Sequence, residues 1–383
     1  MDSARFVSTR AGRVIRVNPG AAEYVAFHPS PLPRELELAR ELVLALSEAD
    51  QAVGRLAGLG RQLPNPHILI QPYVRREAVA STRIEGTQST LSEVLSAEAQ
   101  AVPETADTRE VLNYVRALER GLLRLVELPV SGRLIREMHA ELMRGVRGED
   151  RTPGEFRRTQ NWIGGRGPRD AVFVPPPPYL LDEVLGDFEN YLHEEPTLPM
   201  LVRTALVHYQ FETIHPFLDG NGRLGRLLIV FYLVERGLLP QPLLYLSAYL
   251  EQHRSEYTDL LQAVRERGEY EAWVVFFLRG VAEQAHAAVQ TAEALLHVVA
   301  DFRKRLRGVR ARGVAVDAVE GLIGNPYLTV PRVAATMDVT RQGAAHVVDT
   351  LERAGILTPV AGSARPTLYV AAEVLAVLQA DGV

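Results

Sequence analysis

The stretch His215-Pro-Phe-Leu-Asp-Gly-Asn-Gly-Arg-Leu-Gly-Arg226 decides how this chain is interpreted. It lies between two runs with the apolar spacing of helices, Leu201 to Ile214 and Arg223 to Val234. Asp-Gly and Asn-Gly pairs are also strong hairpin signals, but a hairpin needs flanks that alternate between apolar and polar residues. The helical flanks therefore predict a loop that leads into the N-terminus of a helix.

The loop has the composition of a phosphate-binding site. Gly220 and Gly222 allow backbone angles that expose consecutive N–H groups, and such a nest at a helix N-terminus binds phosphate. Arg223 and Arg226 follow, about one turn apart, and their guanidinium groups can donate to further phosphate oxygens. The pattern predicts a site for a polyphosphate.

Two more residues of the stretch suggest chemistry at that phosphate. Asp219 is a hard oxygen ligand that could hold a divalent cation against the phosphates. Histidine is the side chain best suited to general-base work near neutral pH, and His215 precedes the nest. A lone histidine before proline is usually structural, so the weight of His215 comes from its neighbours. Together the residues predict activation of a hydroxyl group beside a magnesium–nucleotide.

The stretch resembles the signature of the Fic family, His-x-Phe-x-Asp/Glu-Gly-Asn-Gly-Arg-x-x-Arg, with no departure. The resemblance implies transfer of AMP from ATP to Ser, Thr or Tyr hydroxyls of proteins, this chain included, with His215 as the base. It implies Mg²⁺ at Asp219 and the γ-phosphate at Arg226. The α- and β-phosphates would contact Gly220, Asn221, Gly222 and Arg223. Related Doc-type phosphotransferases carry lysine where this chain has Gly222, so Gly222 favours AMP transfer over phosphate transfer.

A second motif, Ser81-Thr-Arg-Ile-Glu-Gly86, resembles the inhibitory-helix pattern of the same family, Ser/Thr-x-x-x-Glu-Gly/Asn. Ser81 and Glu85 are four residues apart, hence on one helix face. The resemblance implies that Glu85 pairs with Arg226 and blocks the productive γ-phosphate position. Two alternatives stay open. Thr82 and Glu85 also fit a capping box, a purely structural helix start, and Glu85 could instead help water to remove AMP.

The segment from Gly154 to Pro178 changes to short strand-like pieces around a Gly/Pro turn, which predicts a hairpin. It resembles the family's flap, which would pair with an extended target segment by strand addition. The residues bordering the nucleotide would be Ile163, Gly164, Gly165 and Arg166. An ordinary surface hairpin is the alternative. Further along the chain, Tyr257 is a candidate for packing near the adenine or, equally, a core tyrosine.

The C-terminal residues 313–383 resemble a winged helix-turn-helix. A first helix follows Thr329, and a second has Thr340 as its N-cap and Gly355 as its C-cap. Arg341 and Gln342 would then face a DNA groove. Residues 301–383, which include the basic run before this segment, are only slightly basic, whereas stand-alone DNA-binding domains are usually more so. Dimerisation or target choice is the alternative role.

Composition excludes several classes of protein. The chain has 383 residues, a net charge of -5 and no cysteine, which removes disulfides, thiol nucleophiles and thiolate metal sites. Its mild acidity argues against nucleic-acid binding over the whole surface. The only lysine is Lys304, in Phe-Arg-Lys-Arg, so neither a Walker loop nor a kinase strand lysine is present. No targeting segment or stretch of membrane-spanning length is evident, which predicts a cytoplasmic protein without membrane contact.

These observations predict a mainly α protein in four parts. Residues 1–100 form an N-terminal region that opens with an irregular arm and continues as helices over Glu35 to Leu59 and Glu77 to Glu98. Residues 101–285 form a Fic helical core with a short β-hairpin flap, 286–312 a linking helix, and 313–383 the winged domain. The resemblance also implies a homodimer. The competing function is a nucleotide-sensing, DNA-binding transcriptional regulator.

Overall fold

The computed structural model describes residues 1–20, 23–62, 67–99, 104–311, 313–363 and 366–380. The described chain is mostly helical, as predicted. It divides into two compact units. Unit 1 comprises Met1–Gly54, Arg116–Leu239 and Tyr249–Glu283, and unit 2 comprises Arg55–Val115, Pro240–Ala248 and Gln284–Val383.

The helices before the C-terminal segment are α1 Arg40–Gln62, α2 His67–Ile84, α3 Leu91–Glu98, α4 Ala106–Arg124, α5 Gly132–Leu142, α6 Leu181–His193, α7 Met200–Ile214, α8 Asn221–Glu235, α9 Ser247–Gln252, α10 Arg254–Arg267 and α11 Tyr270–Gly308. Short 3₁₀ turns occupy Ser3–Arg5 and Pro178–Leu180. The predicted division between core and linking helix, at 285/286, falls inside α11. The continuous helix follows from a run rich in good helix formers, without glycine or proline between Gly280 and Gly308.

Unit 1 is organised around α7 and α8. Every residue of α7 from Leu201 to Ile214 is buried, as are most residues of α8. The two helices pack closely at Gly225, where an added Cβ would lie 2.4 Å from Glu212 Oε1. Because both helices are buried around most of their circumference, the α7–α8 pair forms the centre of this unit.

The N-terminal arm is not irregular, and that prediction was wrong. It forms an antiparallel hairpin of β1 Gly12–Val17 and β2 Tyr24–Pro29. The register runs from Gly12 opposite Pro29 to Val17 opposite Tyr24. The β1 sequence Gly-Arg-Val-Ile-Arg-Val does not alternate strictly between apolar and polar residues, so the usual strand signal was missing. The Phe27 N–H donates to the Val174 carbonyl at 2.9 Å, which ties the hairpin to residues of the same unit.

In unit 2, the predicted single helical region from Glu77 to Glu98 is two helices, α2 and α3. Gly86, with φ +95°, follows the end of α2. Helix α3 begins with a capping box in which Thr90 and Glu93 bond each other's main-chain N–H groups. The capping box separates the two helices because it satisfies N–H groups at the start of α3 that a continuous helix would otherwise have bonded.

The C-terminal elements of unit 2 are α12 Val314–Gly324, β3 Tyr327–Leu328, α13 Val330–Thr336, α14 Arg341–Arg353, β4 Thr358–Pro359, β5 Tyr369–Val370 and α15 Ala372–Gln379. The three short strands form one antiparallel sheet in the order β3-β5-β4. Thr340 caps α14, as predicted, by accepting the Gly343 N–H at 3.2 Å. Gly355 follows α14 with φ +66°.

Within the described ranges, no helix combines the length and apolar character needed to cross a membrane.

Candidate active site

The turn between α7 and α8 carries His215 in an unusual conformation. His215 closes α7 by donating its main-chain N–H to the Phe211 carbonyl at 2.9 Å, and it has φ 48° and ψ 61°. This left-handed region is uncommon for residues other than glycine, although asparagine, aspartate and histidine adopt it more often than the rest. The side chain is 20% exposed. The turn thus leaves part of the imidazole open to solvent at the C-terminus of a buried helix.

Gly220 provides the second left-handed residue of the turn, with φ 76° and ψ 4°. A Cβ there would lie 2.8 Å from Met143 Sδ, so a larger residue would both strain the backbone and displace the Met143 side chain. Helix α8 starts at the next residue, and its first-turn N–H groups have no intrahelical acceptor. Gly222 lies inside this first turn with helical geometry. Of the two glycines, only Gly220 therefore uses a positive φ.

Asn221 braces the turn with its side chain. Its Oδ1 accepts the Phe217 N–H, and its Nδ2 donates to the Phe217 carbonyl, both at 2.9 Å. The residue is 2% exposed. With both side-chain polar atoms engaged, Asn221 offers a ligand its main-chain N–H.

Arg223 and Arg226 follow on α8 and are 3% and 2% exposed. Arg223 Nη2 lies 3.5 Å from Asp219 Oδ1 and 3.6 Å from Met143 Sδ. The two buried guanidinium groups, one turn apart behind a helix N-terminus, concentrate positive potential at the turn.

Asp219 is the exposed acid of the turn. Its side chain is 41% exposed, and its Oδ1 accepts the Gly220 N–H at 2.6 Å. The described residues contain no group of three or more His, Asp or Glu side chains that could hold a metal on their own. A single carboxylate nevertheless fits Mg²⁺, which is commonly bound by one or two carboxylates together with substrate phosphates.

His139 on α5 is a site residue that sequence reasoning missed. Its ring stacks on Phe217 at 3.8 Å between centroids. The Gly154 N–H donates to Nδ1 at 2.8 Å, so the ring proton is on Nε2, which donates to the Asp219 carbonyl at 3.0 Å. Burial lowers the pKa of His139 to about 4. A neutral histidine thus holds the main chain of the metal-ligand candidate.

Arg157 and Asn161 are two further residues that sequence reasoning did not single out. Arg157 Nε donates to the His215 carbonyl at 2.9 Å, and Asn161 Nδ2 donates to the same oxygen at 3.0 Å. Both side chains are buried. The available signal was an arginine and an asparagine four residues apart, ahead of the Gly/Pro turn.

Glu212 lies one turn before His215 on α7. Its Oε2 is 3.9 Å from His215 Nδ1, and the carboxyl group is largely buried. Arg265, fully buried, donates to the Glu212 carbonyl at 3.1 Å and to Thr213 Oγ1 at 3.1 Å. The C-terminal turn of α7 is therefore held by Arg265 of α10 as well as by the segment 157–161.

The predicted hairpin after Gly154 is reduced to one antiparallel bridge, between Ile163 and Phe173. Gly164 and Gly165 both have positive φ, 68° and 72°, and begin the loop. Arg166 is exposed, and its N–H donates to Asp170 Oδ2 at 3.0 Å. Glycines with left-handed geometry and a carboxylate that accepts loop N–H groups both stabilise tight turns. They shorten the pairing to a single bridge.

Tyr257 lies in the core of unit 1, where it is 4% exposed. Its hydroxyl is 2.8 Å from His208 Nε2, and its ring packs against His208 and Trp273. This environment favours the core alternative over contact with an adenine.

Comparison with known proteins finds two Fic/DOC family regions in the chain. Residues 43–123 match the Fic/DOC family N-terminal region, and residues 129–233 match the Fic/DOC family. The second match contains His139, Arg157, Asn161 and the whole of His215 to Arg226. The chain therefore carries a Fic/DOC family region at residues 129–233, preceded by a Fic/DOC family N-terminal region.

Two relatives are named as adenylyltransferases. The probable protein adenylyltransferase aq_aa38 of Aquifex aeolicus (strain VF5) is 32% identical over 173 residues, 43% of this chain and 49% of the relative. The protein adenylyltransferase Fic of Culex quinquefasciatus is 38% identical over 125 residues, 32% of this chain and 22% of the relative. The chain thus spans about half or less of the length of these curated relatives.

A solved structure, that of a Fic family protein from Desulfovibrio desulfuricans G20, covers 90% of this chain and 98% of its own. The TM-score is 0.58 at 19% identity. At this identity the likeness establishes the shared fold.

The Fic/DOC N-terminal match includes the Ser81–Gly86 motif of unit 2. Ser81 is fully buried, and Glu85 is exposed in the turn that follows α2. Thr82 lies in the last turn of α2, where its hydroxyl donates to the Ala78 and Val79 carbonyls at 2.8 and 3.1 Å. The capping-box alternative is therefore wrong, because Thr82 ends a helix instead of starting one.

The other candidate residues of unit 2 lie at the start of α14. Arg341 and Gln342 are both exposed in its first turn. The exposed face of the same helix also carries Asp349 and Glu352, so its charge is mixed.

Proposed function

We propose that this Fic/DOC chain is a protein adenylyltransferase. It would transfer AMP from Mg-ATP to serine, threonine or tyrosine hydroxyls of proteins, its own included. The observation that carries the proposal is the turn from His215 to Gly220, which joins a partly exposed histidine to a helix N-terminus backed by two buried arginines. Relatives named protein adenylyltransferase support the same activity.

In the proposed reaction, the first-turn N–H groups of α8 and the guanidinium groups of Arg223 and Arg226 bind the phosphates of ATP. His215 takes the proton of the target hydroxyl, and the hydroxyl oxygen bonds to the α-phosphorus. The bond from that phosphorus to the bridging oxygen breaks, and pyrophosphate leaves with the electron pair. The carboxylate of Glu212, 3.9 Å from Nδ1, stabilises the positive charge that the ring then carries.

Asp219 is the residue that would hold Mg²⁺. A bound magnesium ion would supply positive charge against the phosphate oxygens. Arg223, 3.5 Å from Asp219 Oδ1, keeps this carboxylate beside the phosphate-binding turn. The short flap, with Ile163, Gly164, Gly165 and Arg166, would border the nucleotide and pair with an extended target segment.

We further propose that Glu85 restrains the reaction, as the Ser81–Gly86 motif predicts through a pairing of Glu85 with Arg226. A misplaced α-phosphate loses the near-attack geometry, and small misplacements cost roughly 100-fold in rate. A restrained enzyme would show weak AMP transfer until Glu85 is removed. If Glu85 also helps water to remove AMP, that second activity would disappear in the same variant.

The test is the intact mass of the protein after incubation with Mg-ATP, compared among the wild type, Glu85→Gly, and Glu85→Gly combined with His215→Ala. We expect added AMP in Glu85→Gly, little in the wild type and none in the double variant. A missing general base typically costs about 10²- to 10⁴-fold. An added phosphate would contradict the role given to Gly222, and AMP in the double variant would contradict that of His215.

A second candidate is a DNA-binding regulator in which the Fic/DOC domain senses nucleotide. The observation that favours it is the order α12-β3-α13-α14-β4-β5 with the sheet β3-β5-β4, which is compatible with the winged helix-turn-helix that the sequence suggests. Arg341 and Gln342 are then the candidate DNA contacts. Sequence-specific DNA binding that survives His215→Ala would distinguish this candidate from the enzyme.

A further inference from the structure

Four consecutive main-chain carbonyls of the His215 turn are bound by two residues from the segment before the flap. Arg157 binds the first three: Nη2 donates to Ile214 O at 3.3 Å, Nε to His215 O at 2.9 Å, and its main-chain N–H to Pro216 O at 2.9 Å. Asn161 Nδ2 adds a second bond to His215 O and reaches Phe217 O at 2.8 Å.

Arg157 is an unusual donor to main-chain carbonyls, because its charged guanidinium group is buried. It is 3% exposed, and no carboxylate in the described ranges lies within ion-pair distance of it. Its remaining donors also reach carbonyls, those of Pro176 at 2.6 Å and Thr159 at 3.4 Å. Burial lowers its pKa to about 10. A buried cation without a counter-ion costs free energy, which the carbonyl bonds must offset.

The conformation held by these bonds is itself strained. His215 has φ 48°, and a left-handed residue other than glycine persists only where its surroundings over-determine it. The backbone angles of a residue set the direction of its Cα–Cβ bond, and hence where its ring can lie. Bonds that hold the His215 backbone therefore also direct its imidazole.

We infer that Arg157 and Asn161 are positioning residues that hold His215 in its left-handed conformation and so aim its imidazole at the target hydroxyl. The identity of the target hydroxyl rests on the proposed function. The placement of the ring is a property of the protein itself. Asn161 also links the flap to the base, because it bonds the His215 carbonyl and lies two residues before the Ile163 bridge.

The test uses two conservative variants and one matched control. Arg157→Lys keeps the charge but loses the planar fork that reaches several carbonyls. Asn161→Asp keeps the shape but places carboxylate oxygens against the His215 and Phe217 carbonyls. The control is Arg203→Lys, since Arg203 is equally buried in unit 1 and donates to the Tyr191 carbonyl, away from residues 214–217.

The first readout is AMP addition in the Glu85→Gly background. Arg157→Lys and Asn161→Asp are expected to lower the maximal rate roughly 10- to 100-fold. They should leave the half-saturating ATP concentration unchanged, because the α8 N–H groups and Arg223 remain. Arg203→Lys should lower the melting temperature comparably without this loss of rate. A full rate in Arg157→Lys, with the same fall in melting temperature as Arg203→Lys, would overturn the inference.

The second readout does not depend on any activity. It is the nuclear magnetic resonance spectrum of protein labelled with carbon-13 at the histidine rings. The His215 ring signal is identified by its loss in His215→Ala. Arg157→Lys and Asn161→Asp should each shift or broaden this signal, and Arg203→Lys should leave it in place. An unmoved signal in both variants would overturn the inference. If Glu85→Gly transfers no AMP, the proposed function fails, and the ring signal still decides the positioning role.

Discussion

Burial keeps His139 neutral in the folded protein. Desolvation lowers its pKa to about 4, against roughly 6.5 in an unfolded chain. Both ring nitrogens are engaged in the neutral form, Nδ1 as acceptor from Gly154 and Nε2 as donor to Asp219. Protonation would remove the acceptor that holds Gly154. His208, whose pKa burial lowers to about 3, is a second buried neutral ring in the same unit.

The pH dependence of stability follows from these shifts. Between pH 6.5 and 4 the unfolded chain binds a proton at His139 that the folded protein does not, so stability falls as the pH falls through that window. Each pH unit costs up to about 1.4 kcal/mol for one such group. We expect His139→Gln to reduce the slope of unfolding free energy against pH by about this amount, as measured by urea denaturation.

The control for that measurement is His193→Gln, which removes an exposed histidine at the end of α6. This variant should keep the slope of the wild type. If His139→Gln also kept it, the neutral His139 ring would not be responsible for the loss of stability in acid.

At the scale of elements, the pairing of α7 with α8 sets the geometry of the turn between them. Gly225 allows close approach, because a Cβ there would meet Glu212 Oε1 at 2.4 Å and Phe211 Cδ1 at 3.2 Å. Both contacted residues lie in the last turns of α7, directly before His215. The separation of the two helices and the placement of the base are therefore linked through one small residue.

We expect Gly225→Ala to destabilise the protein by about 1–3 kcal/mol, because overpacking forces side chains or backbone to shift. The matched control is Gly186→Ala on α6, where an added Cβ meets nothing within 4 Å. That change should stabilise by up to about 1 kcal/mol through helix propensity. Chemical denaturation of both variants tests the pair, and equal effects would contradict the close approach at Gly225.

At the scale of the whole molecule, the C-terminal elements are part of unit 2 and not a separate unit. Asn325, 8% exposed, donates through Nδ2 to the Leu95 carbonyl of α3 at 2.9 Å. Its Oδ1 accepts the Tyr327 N–H at 2.9 Å, so one side chain joins α3 to the start of β3. Ser92 of α3 also contacts Tyr327 and Gln379.

Asn325→Ala should therefore destabilise unit 2 by about 1–3 kcal/mol, since two largely buried hydrogen bonds are lost together. Asn190→Ala, at an exposed position of α6, provides the control and should change stability by less than about 0.5 kcal/mol. Thermal unfolding of the two variants checks the difference. A variant at Asn325 as stable as the control would mean that this contact does not hold the C-terminal elements to α3.

The sequence by itself determined the mainly helical class, the loop before α8 and the Thr340 cap, because helix periodicity and capping depend on residues within a few positions of each other. The tertiary structure alone decided that His139, Arg157 and Asn161 surround the His215 turn. Those contacts join residues 54 to 80 positions apart, and no local pattern records which distant carbonyl a buried side chain will meet. The β1–β2 hairpin depended on tertiary contacts for the same reason, since the Phe27 N–H donates to the Val174 carbonyl and the Phe27 ring packs against Phe173.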